Sequence, residues 1–266
     1  NPSAVAGAII IAFMVLLALS AGWLAPYDPI RISLADRLAG PSAAHWFGTD
    51  EMGRDILSRV MFGARISLRL GIVIVIIAGT TGSLIGAVSG YFGGRVDNVI
   101  MRTMDVILSF PSLVLAMALA AALGPSLTNA ILAVAFVMIP KFARMVRGEA
   151  LAVRELPFIA AARVYGARHY WIILRHLLPN CPNSVIVLAT LTLGDTILIA
   201  AGLSFIGLGA QPPTPEWGAM IAAGRKFVMD QWWYAAFPGL FIMTTVVGFN
   251  SLGDALRDVL DPPVRR

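Results

Sequence analysis

The stretch FIAAARVYGARHYWIILRHLLPN, Phe158 to Asn180, lies between hydrophobic runs long enough to cross a membrane, and its reading decides the fold. Leu156-Pro157 opens it, and proline suits a first helical turn because the N–H it lacks has no partner there. Phe158, Ala161, Ala162 and Tyr165 recur at i, i+3, i+4 and i+7, which predicts one apolar helical face about two turns long. Gly166 ends that helix, as glycine commonly does just past a last turn. The central alanines keep the face shallow, so a partner can approach closely. From Arg168 to Leu178 the chain mixes Tyr170, Trp171, Ile172 and Ile173 with Arg168, Arg175 and His176, which suits a second helix at a membrane–water interface. Spacing alone leaves two readings open: a docking helix, or a connector resting on lipid headgroups.

The flanks of this stretch place it in an all-α integral membrane protein. The 266 residues are 58% hydrophobic and 13% charged, with a mean hydropathy of +0.79, outside the range of soluble domains. A span needs roughly 20 mostly apolar residues, and about six spans are readable: 5–24, 66–91, 106–123, 127–139 with an extension through Lys141-Phe142-Ala143, 184–208 and 235–252. The length of the first and its lack of a basic leading region argue against a cleaved signal peptide. The expected organisation is a first transmembrane helix with an extracytoplasmic segment over 1–65, a membrane core over 66–255 containing a cytoplasmic loop at 144–180, and a cytoplasmic tail at 256–266. No internal repeat stands out.

Charge placement orients the chain. Between Lys141 and Pro179 seven basic residues (Lys141, Arg144, Arg147, Arg154, Arg163, Arg168, Arg175) face two acids, Glu149 and Glu155. The 26–65 loop balances five arginines with five acids. The positive-inside rule puts the first of these loops in the cytoplasm, and counting spans puts both termini there too. Trp232, Trp233 and Tyr234 are then expected as an outer interfacial anchor. The pI near 9.9 reflects basic residues beside spans, not a nucleic-acid surface.

Inside the spans, Gly82, Gly86 and Gly90 form a small-residue ladder suited to close helix packing, or to a sliding seam near a pore. Pro111 should kink or delay the third span, and Pro140 should kink the end of the fourth. Asp195 is the lone acid within a predicted span. A carboxylate at mid-bilayer costs on the order of 3 kcal/mol, so it should face protein or water: a pore contact, or a hydrogen bond to a neighbouring helix. Thr49-Asp50 and Gly53-Arg54-Asp55 read as a solvated surface with local ion pairs, and Pro212-Pro213-Thr214-Pro215 as a stiff extended run. Cys181 is the only cysteine, and His45, His169 and His176 lack metal-site spacing. No phosphate-binding Gly-x-x-x-x-Gly-Lys-Ser/Thr loop occurs, so the chain offers neither a catalytic nor a metal site.

Ala161-Ala162, Gly166, Ile173 and Leu178-Pro179 resemble the cytoplasmic coupling loop of ABC importer permeases, with Ala160 where that family usually has glutamate. HWFGTDEMGRDILSRVMFGARISL (His45 to Leu68), LSFIGLGAQPPTPEWGAMI (Leu203 to Ile221) and GDALRDVLDP (Gly253 to Pro262) resemble the second permease of dipeptide, oligopeptide and nickel importers. Ala200 stands where that subfamily often has glutamate. The resemblance implies an ABC type I transmembrane fold in a bacterial inner membrane, and import of peptides or peptide-like solutes. It further implies a homologous partner permease, two ATPase subunits that carry the ATP and Mg, and an extracytoplasmic binding protein. Phe158, Ala161, Ala162, Arg163, Tyr165, Gly166, Leu178 and Pro179 then become the candidate ATPase-coupling residues. A self-sufficient secondary transporter or channel is the alternative; it requires intramembrane ionisable residues, of which Asp195 is nearly alone.

Overall fold

The computed structural model describes residues 2–260, and ten α-helices carry that chain. They are α1 (Pro2–Leu24), α2 (Ile56–Phe92), α3 (Gly94–Leu108), α4 (Ser112–Leu123), α5 (Leu127–Val153), α6 (Pro157–Val164), α7 (His169–Ile172), α8 (Pro182–Phe205), α9 (Trp217–Gly224) and α10 (Trp233–Leu260). Five of them are long and apolar enough to cross a bilayer alone; a sixth crossing arises if the bent pair α3–α4 is one span. Residues 261–266 of the expected tail lie outside the described residues.

Helix ends follow local chemistry, and several differ from the expected limits. α2 starts ten residues before Ile66 because Asp55 caps it: the carboxylate accepts from Ser58 N at 2.8 Å, an arrangement that typically stabilises a helix by about 1 kcal/mol. The third span is not a straight 106–123 helix. The chain turns by 90° at Ser109-Phe110-Pro111, between α3 and α4, since the residue before a proline is forced out of helical geometry. α4 alone is only about 18 Å long, short of a bilayer's roughly 30 Å. α5 does not stop near residue 143. It runs to Val153 with Pro140 inside it, so the expected loop at 144–180 begins within a helix, and the connecting segment proper starts at Arg154.

Lipid supplies no hydrophobic drive between helices, so association rests on close packing. The α2 glycines provide it: a Cβ at Gly82 would lie 2.6 Å from Ile139 O, at Gly86 2.3 Å from Ala143 O, and at Gly90 2.5 Å from Ala150 Cβ. Only glycine lets α2 and α5 approach this closely over three turns. Around this seam α4 and α8 add Ala116, Ala120, Ala200 and Leu203 to a core with Ile74, Val134, Met138 and Phe142. A second core, reaching from the end bearing residues 26–55 into the middle of the bundle, joins α1, α2, α9 and α10 through Met14, Val60, Trp217, Tyr234 and Phe249. A third, at the end bearing residues 154–181, holds Ala87, Tyr91, Val146, Ala150, Ile159, Ile172, Leu177 and Cys181. These are called below the outer-loop end and the basic end.

Candidate functional site

The segment from Arg154 to Cys181 folds as a short helical hairpin across the basic end of α2 and α5. α6 has Pro157 in its first turn, and the chain leaves it through Gly166 at φ +76°, in the left-handed region that disfavours a side chain. The second half is not one helix over 168–178. α7 gives way to a π-turn over Ile173–Leu177 and a 3-10 turn over Leu178–Asn180. This progressive change of winding rotates Ile172, Ile173 and Leu177 inward together.

The expected apolar face of α6 divides. Ile159 is fully buried and Ala162 packs beside it, while Phe158, Ala161, Arg163, Tyr165 and Gly166 remain exposed. Val164 and Tyr165 are 86% and 90% exposed, values that leave nearly the whole of both side chains without cover from this chain. Leu178 packs on the third core, and Pro179 faces outward. The helix therefore presents an apolar ledge backed by a rigid floor. Burial, with Glu149 adding, pushes the Cys181 thiol in that floor up to about 12, so it stays protonated and unreactive.

Tyr91, which sequence reading took only as the end of a span, ties the hairpin to α2. Its hydroxyl hydrogen-bonds His169 Nδ1 at 2.8 Å, and the Arg163 guanidinium lies over its ring at 4.9 Å. Arg154 Nη1 donates to the carbonyl of the preceding residue, Gly90 O, at 2.9 Å. An aromatic residue at a helix terminus ahead of Gly93-Gly94 is the one signal that could have marked Tyr91.

Lys141, Arg144 and Arg147 are not loop cations. All three lie on α5, and each is paired with an acid from another helix: Lys141 with Asp195 of α8, Arg144 with Asp105 of α3, and Arg147 with Asp97 of α3. The last pair is bidentate, with both N···O distances 2.6 Å, and Ser89 also donates to Asp97. Asp195 thus has a partner that a lone-acid reading could not name, because Lys141 lies 54 residues away in sequence.

At the outer-loop end the residues expected as solvated surface are buried. Asp50, Arg54 and Asp55 are 0%, 8% and 2% exposed, because the 26–55 loop is pressed onto α2 and the start of α10. Asp50 accepts from Arg54 Nε at 2.6 Å and sits 3.5 Å from Arg59 Nε; Arg59 Nη1 donates to Pro29 O at 2.8 Å. Asp55 accepts from Ser58 and contacts His45 Nδ1 at 2.9 Å. Of the expected aromatic anchor only Trp232 is exposed. Trp233 donates to Thr49 O at 3.4 Å, and Tyr234 is buried under the loop. The proline run turns instead of extending, with Thr214 N donating to Gln211 O at 3.1 Å. Glu216 behind it caps α9 through Gly218 N and Ala219 N, and burial holds its carboxyl above the usual range.

Residues 82–266 match the family described as "Binding-protein-dependent transport system inner membrane component". Residues 1–41 match "N-terminal TM domain of oligopeptide transport permease C". The chain is 56% identical over 262 residues to the "Probable D,D-dipeptide transport system permease protein DdpC" of Escherichia coli strain K12, covering 98% of this chain and 88% of that one. It is 46% identical to the dipeptide transport system permease protein DppC of Alkalihalophilus pseudofirmus, over 100% of this chain and 87% of the relative. It is 44% identical to the glutathione transport system permease protein GsiD of Pectobacterium atrosepticum, over 98% and 87%. A structure of the MetNI methionine ABC transporter, in inward-facing conformations, shares the fold at TM-score 0.52 and 20% identity, over 73% of this chain and 94% of that one. The seam of small residues, the exposed ledge and these relatives agree: the chain belongs to the binding-protein-dependent transport system inner membrane components, as a multi-pass ABC importer permease and not an enzyme.

Proposed function

We propose that this permease forms half of the path by which short peptides or peptide-like solutes enter a bacterial cell, and that the α6 ledge seats an ATPase subunit. The observation that carries the reading is the exposure of Phe158, Ala161, Val164 and Tyr165 on a helix whose opposite side is fixed by Ile159 and Tyr91. An exposed apolar patch on a rigid base marks an interaction surface. Substrate class is carried over from relatives named for dipeptide, D,D-dipeptide and glutathione transport.

Orientation follows from charge. With Lys141, Arg144 and Arg147 assigned to α5, the connecting segment still holds Arg154, Arg163, Arg168 and Arg175 against Glu155, which favours the cytoplasmic side for it and for both termini. Closure of two ATPase subunits around ATP and Mg would push on α6. Tyr91 and Arg154 would pass that motion to α2, and the glycine seam would carry it to α5, as a rigid-body shift between inward-facing and outward-facing states. A homologous second permease completes the path, and a binding protein delivers solute from outside.

The test is to purify the chain with its co-encoded proteins in nanodiscs and to measure ATP turnover with and without loaded binding protein. Co-purified ATPases whose turnover rises with the binding protein support the reading. A stable permease that recruits no ATPase refutes it.

A further inference from the structure

Near the middle of the membrane the described residues hold a pair of opposite charges that is only partly closed. Lys141 Nζ donates to Asp195 Oδ2 at 3.2 Å, with 34% and 52% of the two side chains exposed. At roughly 1.5 Å per residue, Lys141 lies about 21 Å from the start of α5 and Asp195 about 20 Å from the start of α8. Ionised side chains at that depth are strongly disfavoured against acyl chains and face a bundle interior or water.

The surface of α5 changes character at this level. Towards Leu127 its exposed residues are Thr128, Leu132 and Phe136; beyond Pro140 they are Arg144, Met145, Gly148 and Ala152, and Lys141, Arg147 and Glu149 are partly exposed. A Cβ at Gly148 would meet nothing within 4 Å. Leu132 and Phe136 suit lipid or a partner helix, whereas Lys141, Arg144, Arg147 and Glu149, all at least partly exposed, suit a surface that water reaches from the basic end. Lys141 and Asp195 sit at its inner limit.

We propose that Lys141 and Asp195 form a contact site for zwitterionic solutes in the translocation path. Asp195 takes the ammonium and Lys141 the carboxylate of a short peptide in transit. The inference rests on the peptide-importer reading and adds the residues that would meet the solute. The contrast with Arg147–Asp97 supports it. That pair is finished, with two short bonds and a serine on the acid. Lys141–Asp195 makes a single contact, and neither Asp195 Oδ1 nor the remaining ammonium protons have a protein partner among the described residues. A zwitterion can replace both partners at once and leave the net charge of the site unchanged. A simple cation or anion would strand one charge in the membrane, so the site selects for carriers of both.

The experiment uses the whole complex in proteoliposomes, with radiolabelled dialanine in its D,D and L,L forms as probes. Lys141→Met, Asp195→Asn and the neutral double variant are compared with wild type at equal amounts of assembled complex. Loss of charge-assisted contacts to solute predicts uptake lowered about tenfold or more in both single variants and in the double variant. A purely structural pair predicts otherwise: the double variant leaves no charge unpaired, so uptake recovers. Recovery of the double variant, or unimpaired single variants, overturns the proposal while sparing the importer reading. Wild-type complex that imports neither probe overturns the contact site as one for dipeptides, and only a wild type that also recruits no ATPase overturns the importer reading. Should single variants fail to assemble, the double variant decides alone.

Discussion

At the outer-loop end, charged residues are inside: Asp50, Arg54, Asp55 and Arg59 are buried and almost fully partnered within one chain. At the basic end, apolar residues are outside: Val164 and Tyr165 lie open on a helix held from behind by Ile159. The first region is a finished structure, with ion pairs and caps closed upon themselves. The second is half of an interface. Composition alone would have ranked them the other way, because charge suggests surface and apolar residues suggest core.

This contrast predicts opposite responses to substitution. The largest expected effect is on stability at the outer-loop end. Asp50→Ala strands Arg54 and Arg59 in a buried site and should destabilise the permease by about 3–5 kcal/mol; the thermal midpoint and folded yield of the purified subunit check it. Tyr165→Ala, at the other end, should leave the midpoint within about 0.5 kcal/mol. If Tyr165→Ala were the more destabilising of the two, the contrast would collapse.

Next comes the α2–α5 seam, which runs from the bundle interior to the basic end. Gly86→Leu drives a side chain against the Ala143 carbonyl and should cost about 1–3 kcal/mol, read as a lower midpoint and looser complex. Gly166→Val acts differently. Nothing lies within 4 Å of a Cβ there, so strain comes only from the positive φ, on the order of 1–2 kcal/mol. Uptake should fall while ATP hydrolysis persists, and normal uptake by an intact Gly166→Val complex would remove Gly166 from the coupling scheme.

A smaller effect is expected at Tyr91. Tyr91→Phe keeps the ring under Arg163 but loses the bond to His169, worth about 1 kcal/mol. Transport per ATP hydrolysed should drop several-fold, and an unchanged ratio would mean that the hydroxyl plays no part in holding the hairpin.

The smallest is a pH dependence at the outer-loop end. The Glu216 carboxyl is raised by burial, so the folded state holds its proton more tightly than the unfolded state does. Its contribution is fully present below the unfolded value of about 4.3 and is lost as pH rises through the folded value. Across that window wild type should lose midpoint relative to Glu216→Gln; parallel curves would show no such linkage.

The spans were legible in the sequence because hydropathy accumulates over some twenty residues. α6 was legible because Pro157 and Gly166 punctuate it. What stayed hidden depends on contacts distant in sequence. Lys141 reads as a loop cation until α8 supplies Asp195. Asp50 and Arg54 read as surface until Trp233 and Tyr234 close over the loop. In the rewound residues 173–180, Pro179 disfavours a regular helix locally, but which side chains turn inward depends on Ile172, Ile173 and Leu177 meeting one core. Tyr91 is an ordinary span terminus until Arg163 and His169 arrive from the hairpin.

The most direct test places a charge on the ledge where it cannot disturb the fold. Ala161 is exposed, so Ala161→Arg should leave the permease folded. In nanodiscs with the co-encoded proteins, wild type should retain its ATPases and hydrolyse ATP faster when loaded binding protein is added, whereas Ala161→Arg should lose both the ATPases and the stimulation. An Ala161→Arg complex that keeps its ATPases and responds to the binding protein like wild type would contradict the assignment of α6 as their seat.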